Sequence, residues 1–209
     1  EGDDVPEPDF ISAEGKHVVI IGGGDTGADC LGTANRQGAV SVHQLEIMPR
    51  PPEHRTEDNP WPEWPRIYRV SSAHEEGVER LYAVSTKRFI DDGNGNVAAL
   101  ELTNVEVKTV DGRPVVEEVP DSTHQIKADL VLLAMGFTGP EKPGMLEQLG
   151  VQMTDRGNVW HETWQTSVEG VFTAGDMQHG QSLIVWAIAE GRSAARAVDI
   201  YLTGESDLP

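Results

Sequence analysis

Cysteine is almost missing from these 209 residues: Cys30 stands alone. That excludes a disulfide framework, a cysteine-ligated zinc or iron–sulfur site, and any CxxC redox pair. Positive charge is also scarce. Lys plus Arg is 16 against 35 for Asp plus Glu, a formal charge of −19. A phosphate backbone needs a cationic footprint, so nucleic acid and anionic membrane are excluded as partners. Five of the acids crowd into Glu1–Asp9 with no base among them, and residues 1–15 read as an acidic linker or tail. No apolar run reaches the roughly 18 residues that a membrane span requires, and no signal peptide opens the chain, so the expectation is a soluble, cytoplasmic protein. The seven histidines show no ligand spacing, and no metal site is expected. The absence of an initiator Met suggests a piece of something longer.

Glycine, in contrast, is abundant at 22 residues. Three of them, Gly22, Gly24 and Gly27, fit G-x-G-x-x-G directly after the β-branched run His17–Ile21 and directly before the small-residue helix Asp25–Arg36. A second strand is expected at Ser41–Met48, which completes a βαβ unit. Each glycine has a physical reason. Gly22 allows the tight turn off the strand, Gly24 lets the backbone approach a pyrophosphate, and Gly27 lets helix and strand pack closely. The helix N-terminus then offers free N–H groups and partial positive charge. Glu46 lies 22 residues beyond Gly24, where a carboxylate accepts hydrogen bonds from ribose hydroxyls and repels a 2′-phosphate. That favours NADH. Arg50 and Arg55 follow at once and are suited to a 2′-phosphate, which leaves NADPH open.

Further along, Pro49–Pro65 holds six prolines with Trp61 and Trp64 among them. It reads as a stiffened loop, a lid on its own domain in preference to a docking element for another subunit. Tyr68–Gly77 reads as a short surface helix, and Arg80–Asp91 with Val97–Val110 as a β-hairpin. Ala128–Ala134 reads as another buried strand and Gly144–Gly150 as a helical turn or two. Gly170–Asp176 reads as a short strand ending in a Gly175-Asp176 turn, and Gln181–Leu202 as the longest helix. A Gly-Asp pair there can place a carboxylate against a sugar or ribityl hydroxyl. It is equally a common structural turn.

Together these segments carry a resemblance. Val19–Cys30, Thr173–Leu183 and Glu190-Gly-Arg192, with Ala128–Pro140 as the crossover between them, resemble flavoproteins built from two dinucleotide-binding domains, of the pyridine nucleotide-disulfide oxidoreductase kind. Leu45–Pro52, Asn59–Pro65 and Ile67–Gly77 narrow the resemblance to the small (β) subunit of glutamate synthase, and it covers roughly 16–204. It implies an α/β fold: a Rossmann-like nicotinamide-nucleotide domain over 16–140 with a parallel sheet and a β-hairpin insertion, followed by the C-terminal portion of a split FAD-binding domain over 141–209. It implies that NADH, or NADPH on the arginine alternative, gives hydride to FAD, with electrons passing through iron–sulfur clusters to the large (α) subunit, where glutamate is made from glutamine and 2-oxoglutarate. Hydride transfer between nicotinamide and flavin requires no protein acid, base or nucleophile, so no catalytic side chain is expected.

By motif, the resemblance puts Gly22, Gly24, Asp25, Thr26 and Gly27 on the pyrophosphate, with Glu46 and Arg50 at the adenosine end. It puts Gly175 and Asp176 at the flavin ribityl chain and Gln181, Ser182, Leu183 and Val185 at the isoalloxazine. The family's cysteine-rich iron–sulfur segment and the first glycine loop of its FAD domain have no counterpart here. The expectation is therefore a C-terminal fragment that binds NADH, holds FAD weakly, partners the upstream half of its own subunit, and is inactive alone. The alternatives are another flavin- and iron–sulfur-linked NAD(P)H reductase subunit, or a non-catalytic nucleotide-binding module.

Overall fold

The computed structural model describes residues 10–110 and 113–209; most of the acidic segment, residues 1–9, lies outside them. The chain divides into two compact units, one ending at Met135 and the other Gly136–Pro209.

The first unit is built on a parallel sheet. Its strands are β1 (His17–Ile21), β2 (Ser41–Glu46), β3 (Glu79–Tyr82) and β8 (Leu130–Leu133), in the order β3-β2-β1-β8. α1 (Asp25–Arg36) connects β1 to β2, and the four-residue α2 (Ser72–Glu75) precedes β3. The β1 run is apolar without alternation because both of its faces are covered. Val18 and Ile20 pack with Ala28, Leu31 and Ala34 of α1. Val19, between them, faces Leu45, Val84, Leu100, Leu102 and Ala128 on the opposite side. Ala13 also belongs to the α1-side cluster, and the Ala13 N–H donates to the Gln37 side chain at 2.8 Å. Ordered packing thus begins inside the stretch expected to be a tail.

The second face is covered by an antiparallel meander. It comprises β4 (Val84–Asp91), β5 (Val97–Val110), β6 (Arg113–Glu118) and β7 (His124–Lys127), with β5 at its centre. The single strand expected over Arg80–Asp91 is two strands. Ala83, at φ 53°, turns the parallel edge strand β3 into the antiparallel β4. The periodicity on either side of Ala83 is compatible with one strand, and only the backbone reversal divides them. β6 and β7, which the sequence reading leaves without assignment, fill the opposite edge of β5 in succession. One cross-strand pair lies just past a register shift between Thr86 and Arg88: Arg88 stands opposite Glu101 and grips its carboxylate with two hydrogen bonds of 3.1 and 3.0 Å. The pair holds the Glu101 carboxyl below its ordinary value and the guanidinium above its own.

The second unit contains α3 (Met145–Leu149), the two-residue strands β9 (His161–Glu162) and β10 (Gln165–Thr166), α4 (Asp176–His179) and α5 (Ile184–Thr203). The strand expected over Gly170–Asp176 is reduced to one isolated bridge, Phe172 to Gln165. Its short apolar stretch finds no continuous partner strand. Phe172 instead meets Tyr201 of α5 edge-on, with ring centroids 5.6 Å apart. No helix among the described residues is long and apolar enough to cross a membrane.

Candidate functional site

The glycine loop lies at the carboxyl end of β1, and its shape is set by contacts that only glycine permits. Gly22 has φ 130° and donates its N–H to the Leu45 carbonyl at 2.9 Å. A Cβ on Gly22 would lie 2.1 Å from the Ala134 carbonyl oxygen. A Cβ on Gly27 would lie 2.2 Å from the Gly22 carbonyl oxygen and 2.6 Å from Gln44 Nε2. Gly23, absent from the motif, is constrained by a side chain instead of backbone: its Cβ would strike Glu46 Oε2 at 2.2 Å. Gly24 alone is open, with no heavy atom within 4 Å of a Cβ. It is the N-cap of α1 and provides no side-chain cap. The first-turn residues Asp25 and Thr26 are exposed, so the helix presents its N–H groups and positive dipole end without a protein partner for them.

Two cavities flank this loop. The larger, about 630 Å³, is lined by Gly22–Gly24, Glu46, Thr86 and Met135 among others. The second, about 460 Å³, is lined by Gly23, Asp25, Glu46, Arg69, Arg80 and Tyr82 among others. Glu46 stands in both walls, with Oε1 accepting the Met48 N–H at 2.8 Å. Each cavity also has a buried hydroxyl without a protein hydrogen-bond partner, Thr86 Oγ1 in the first and Tyr82 Oη in the second. Burial pushes the Tyr82 phenol above its ordinary value. Buried hydroxyls are ordinarily satisfied, so this pair fits a polar ligand on either side of Glu46. The cradle of glycines, the unclaimed helix terminus and the two hydroxyls together fit a dinucleotide.

Arg50 lines neither cavity. It pairs with Glu53 at 2.6 Å and lies 4.2 Å over the Tyr68 ring. Arg55 is likewise used internally, donating to the carbonyls of Asn59 and Glu63. The cationic side of the second cavity is instead Arg69 and Arg80, with Arg80 Nη1 donating to the Arg69 carbonyl at 2.8 Å. Motif spacing cannot find these two, because they come from a loop and from β3 and meet Glu46 only in the fold. Trp61 and Trp64 are 82% and 75% exposed, so the proline loop does not bury its indoles as a lid on this unit would. Its interior is polar: the buried Asn59 donates to the Trp64 carbonyl and accepts the Arg66 N–H. Neither is the stretch ahead of β3 a plain surface helix. His74 of α2 reaches Gln44 of β2 at 3.1 Å. Cys30 is partly buried against the α1-side core, and burial pushes its thiol up.

In the second unit, the Gly175-Asp176 turn is clamped from behind by a residue that sequence spacing did not single out as a site residue. Glu190 of α5, 8% exposed, accepts the Gly175 N–H at 2.8 Å and the Gln178 amide at 2.7 Å through Oε2. Its other oxygen lies 3.2 Å from His179 Nδ1. Gly175 has φ 70°, and Asp176 opens α4 with an exposed carboxylate. Asp176 and Gln181 line one cavity of about 280 Å³ with Phe137 and Met177. Ser182, Leu183 and Val185 stand just beyond it at the start of α5, where Leu183, Ile184, Val185 and Trp186 are mostly exposed. Thr173 Oγ1, ahead of the turn, is buried without a partner. An orphan hydroxyl and an exposed carboxylate at one turn suit a ligand rich in hydroxyls, as a ribityl chain is.

Residues 3–191 match the family described as Pyridine nucleotide-disulphide oxidoreductase. The chain belongs to that family. Within it, the chain is 60% identical over its whole length to the glutamate synthase [NADPH] small chain of Mycobacterium tuberculosis. It is 45% identical over 96% of its length to the small chain of the same name from Bacillus subtilis, and 44% identical over 99% to glutamate synthase [NADH] of Schizosaccharomyces pombe. It spans 43%, 42% and 10% of those relatives. In fold it is similar to FprA of Mycobacterium tuberculosis, a structure determined in complex with NADPH, at a TM-score of 0.63 and 13% identity over 92% of this chain and 54% of that one.

Proposed function

We infer that this chain is the nicotinamide-binding part, with an adjoining portion of the flavin-binding part, of a glutamate synthase small subunit, and that it serves as the electron input of that enzyme. The observation that carries the reading is the glycine loop: two glycines, Gly22 and Gly27, where a Cβ would strike backbone, beside an uncapped helix N-terminus and two cavities that share Glu46. The N–H groups at Gly24, Asp25 and Thr26 bind the pyrophosphate. Glu46 accepts from the adenosine ribose hydroxyls, and its charge opposes a 2′-phosphate, so NADH is the preferred donor. Arg69 and Arg80, rather than Arg50, provide the opposing arm by which NADPH would be tolerated.

On the second unit, Gly175 and Asp176 hold the ribityl chain, with Thr173 behind them, while Gln181 to Val185 meet the ring. FAD, when bound, supplies acceptance of the hydride. The chain's own residues bind, orient and exclude water, and none is assigned a proton or a nucleophile. The exposed apolar start of α5 is the face on which the remainder of a flavin-binding domain packs. The partner of the complete subunit is the large subunit of glutamate synthase.

The test is anaerobic bleaching of flavin in the protein extended to its relatives' length. NADH should reduce it at least about tenfold more efficiently than NADPH, one decade being about 1.4 kcal/mol of discrimination. Glu46→Gln should erase most of that preference. A preference for NADPH would overturn the role given to Glu46. No flavin reduction by either donor would leave a non-catalytic nucleotide-binding module as the correct reading.

A further inference from the structure

Behind the glycine loop runs a hydrogen-bond chain whose two ends leave no freedom of direction. At one end is the Gly22 carbonyl oxygen, which can only accept, and the side-chain nitrogen of Gln44 donates to it at 3.1 Å. Gln44 is 1% exposed. With its amide nitrogen committed to Gly22, its oxygen faces His74 Nε2 at 3.1 Å, so that nitrogen must carry a hydrogen. At the other end the backbone N–H of Ser71, which can only donate, meets His74 Nδ1 at 3.1 Å. The Ser71 hydroxyl lies 2.7 Å from the same nitrogen. The imidazole is therefore neutral, with its proton on Nε2. The peptide between Gly22 and Gly23 is planar and trans, so an inward Gly22 carbonyl turns the Gly23 N–H away from Gln44. Gly23 lines both cavities. Were that peptide to flip, a carbonyl oxygen would face the site in place of an N–H, and it would repel a pyrophosphate.

We propose that His74 is a positioning residue for the dinucleotide site: its neutral Nε2–H form holds Gln44, Gln44 holds the Gly22 carbonyl inward, and protonation at Nδ1 breaks the Ser71 anchor that keeps the imidazole in place. The proposal rests on the reading of the glycine loop as a pyrophosphate site. An imidazolium would aim its Nδ1–H at the Ser71 N–H, two donors face to face, so the backbone bond is lost and only the Ser71 hydroxyl, with its own hydrogen turned away, is left to accept. The charged groups that share a cavity wall with His74 are Arg80 from β3, Arg69 from the preceding loop, Asp25 from α1 and Glu46 from β2, with the Tyr82 phenol beside them. Glu75 and Glu76 follow His74 at the end of its own helix, and Glu76 pairs with Arg36 of α1. Burial, and then the Arg80 charge, hold the imidazole below its ordinary value of 6.5. The neutral form is the resting one at neutral pH.

The test uses the full chain, with ADP-ribose as an acid-stable probe of the pyrophosphate site. Imidazole nitrogen-15 spectra at pH 7.5 should show His74 protonated at Nε2 only; the Nδ1–H tautomer would overturn the proposal. By titration calorimetry the dissociation constant for ADP-ribose should rise about tenfold between pH 8 and pH 5.5, as expected for the loss of one hydrogen bond from the chain that supports the loop. His74→Gln offers a donor to Gln44 and an acceptor to Ser71 but does not titrate. It should bind as the wild type does at pH 8 and lose the pH dependence. His74→Leu should bind about tenfold more weakly at every pH. Should the leucine variant fail to fold, the wild-type profile and the glutamine variant still decide. Wild-type binding that is flat with pH overturns the role of His74 alone. No binding of ADP-ribose at pH 8 overturns the pyrophosphate site and, with it, this inference.

Discussion

Gly22 and Ala83 both occupy the left-handed side of backbone space, and they respond to substitution in opposite directions. At Gly22 the φ of 130° and a backbone oxygen 2.1 Å from the missing Cβ leave nowhere for a methyl group. Gly22→Ala should cost about 2–4 kcal/mol, read as a fall in the urea midpoint at unchanged slope. Ala83 has a side chain at φ 53°, so Ala83→Gly should relieve strain and raise stability by about 0.5 kcal/mol. His74 adds a pH term. Its folded value is lowered, so the neutral form is the one the fold prefers. Its contribution is fully present above 6.5 and is lost as pH falls from 6.5 through the lower folded value. Urea titrations of the wild type between pH 7.5 and 5.5 should show that decline, and His74→Gln should show less of it.

At the scale of elements, α1 is docked by Leu31, which is wholly buried. Leu31→Ala should cost about 2–5 kcal/mol through the cavity it leaves. In the second unit, α5 holds the Gly175-Asp176 turn through Glu190. Glu190→Ala strands the Gly175 N–H and the Gln178 amide and should cost about 1–3 kcal/mol, with Glu190→Gln milder because its oxygen still accepts. Much of this architecture is legible along the chain. β1, α1 and the glycine loop announce themselves within residues 17–36, where an apolar run, three spaced glycines and a small-residue helix depend only on near neighbours. The long helix α5 is legible for the same reason. What is hidden is whatever depends on chain reversal or distant approach. The Ala83 corner divides one apparent strand into two sheets. The isolated bridge at Phe172 replaces an expected strand because no partner continues beside it. Gly23 matters only because Glu46 folds back onto it. Arg69, Arg80 and His74 reach the site across about 20–35 residues, a distance at which no local pattern links them to Glu46.

At the scale of the molecule, the two units should answer a ligand differently. A dinucleotide present at about 100 times its dissociation constant should stabilise the first unit by about 2.7 kcal/mol. Probes in that unit, such as the amides of β1 and α1, should gain hydrogen-exchange protection to match, while those of Gly136–Pro209 stay unchanged. Equal protection throughout would mean that the units open together. The two-sided burial of β1 bears on the same question inside the first unit. Val18 and Val19 are adjacent along the chain, yet one belongs to the helix layer and the other to the meander layer. Alanine at one position therefore loosens a different half of the unit from alanine at the other, through the same strand. A double-mutant cycle across that single peptide bond measures how firmly the helix layer and the meander behind it are joined, with no other residue disturbed.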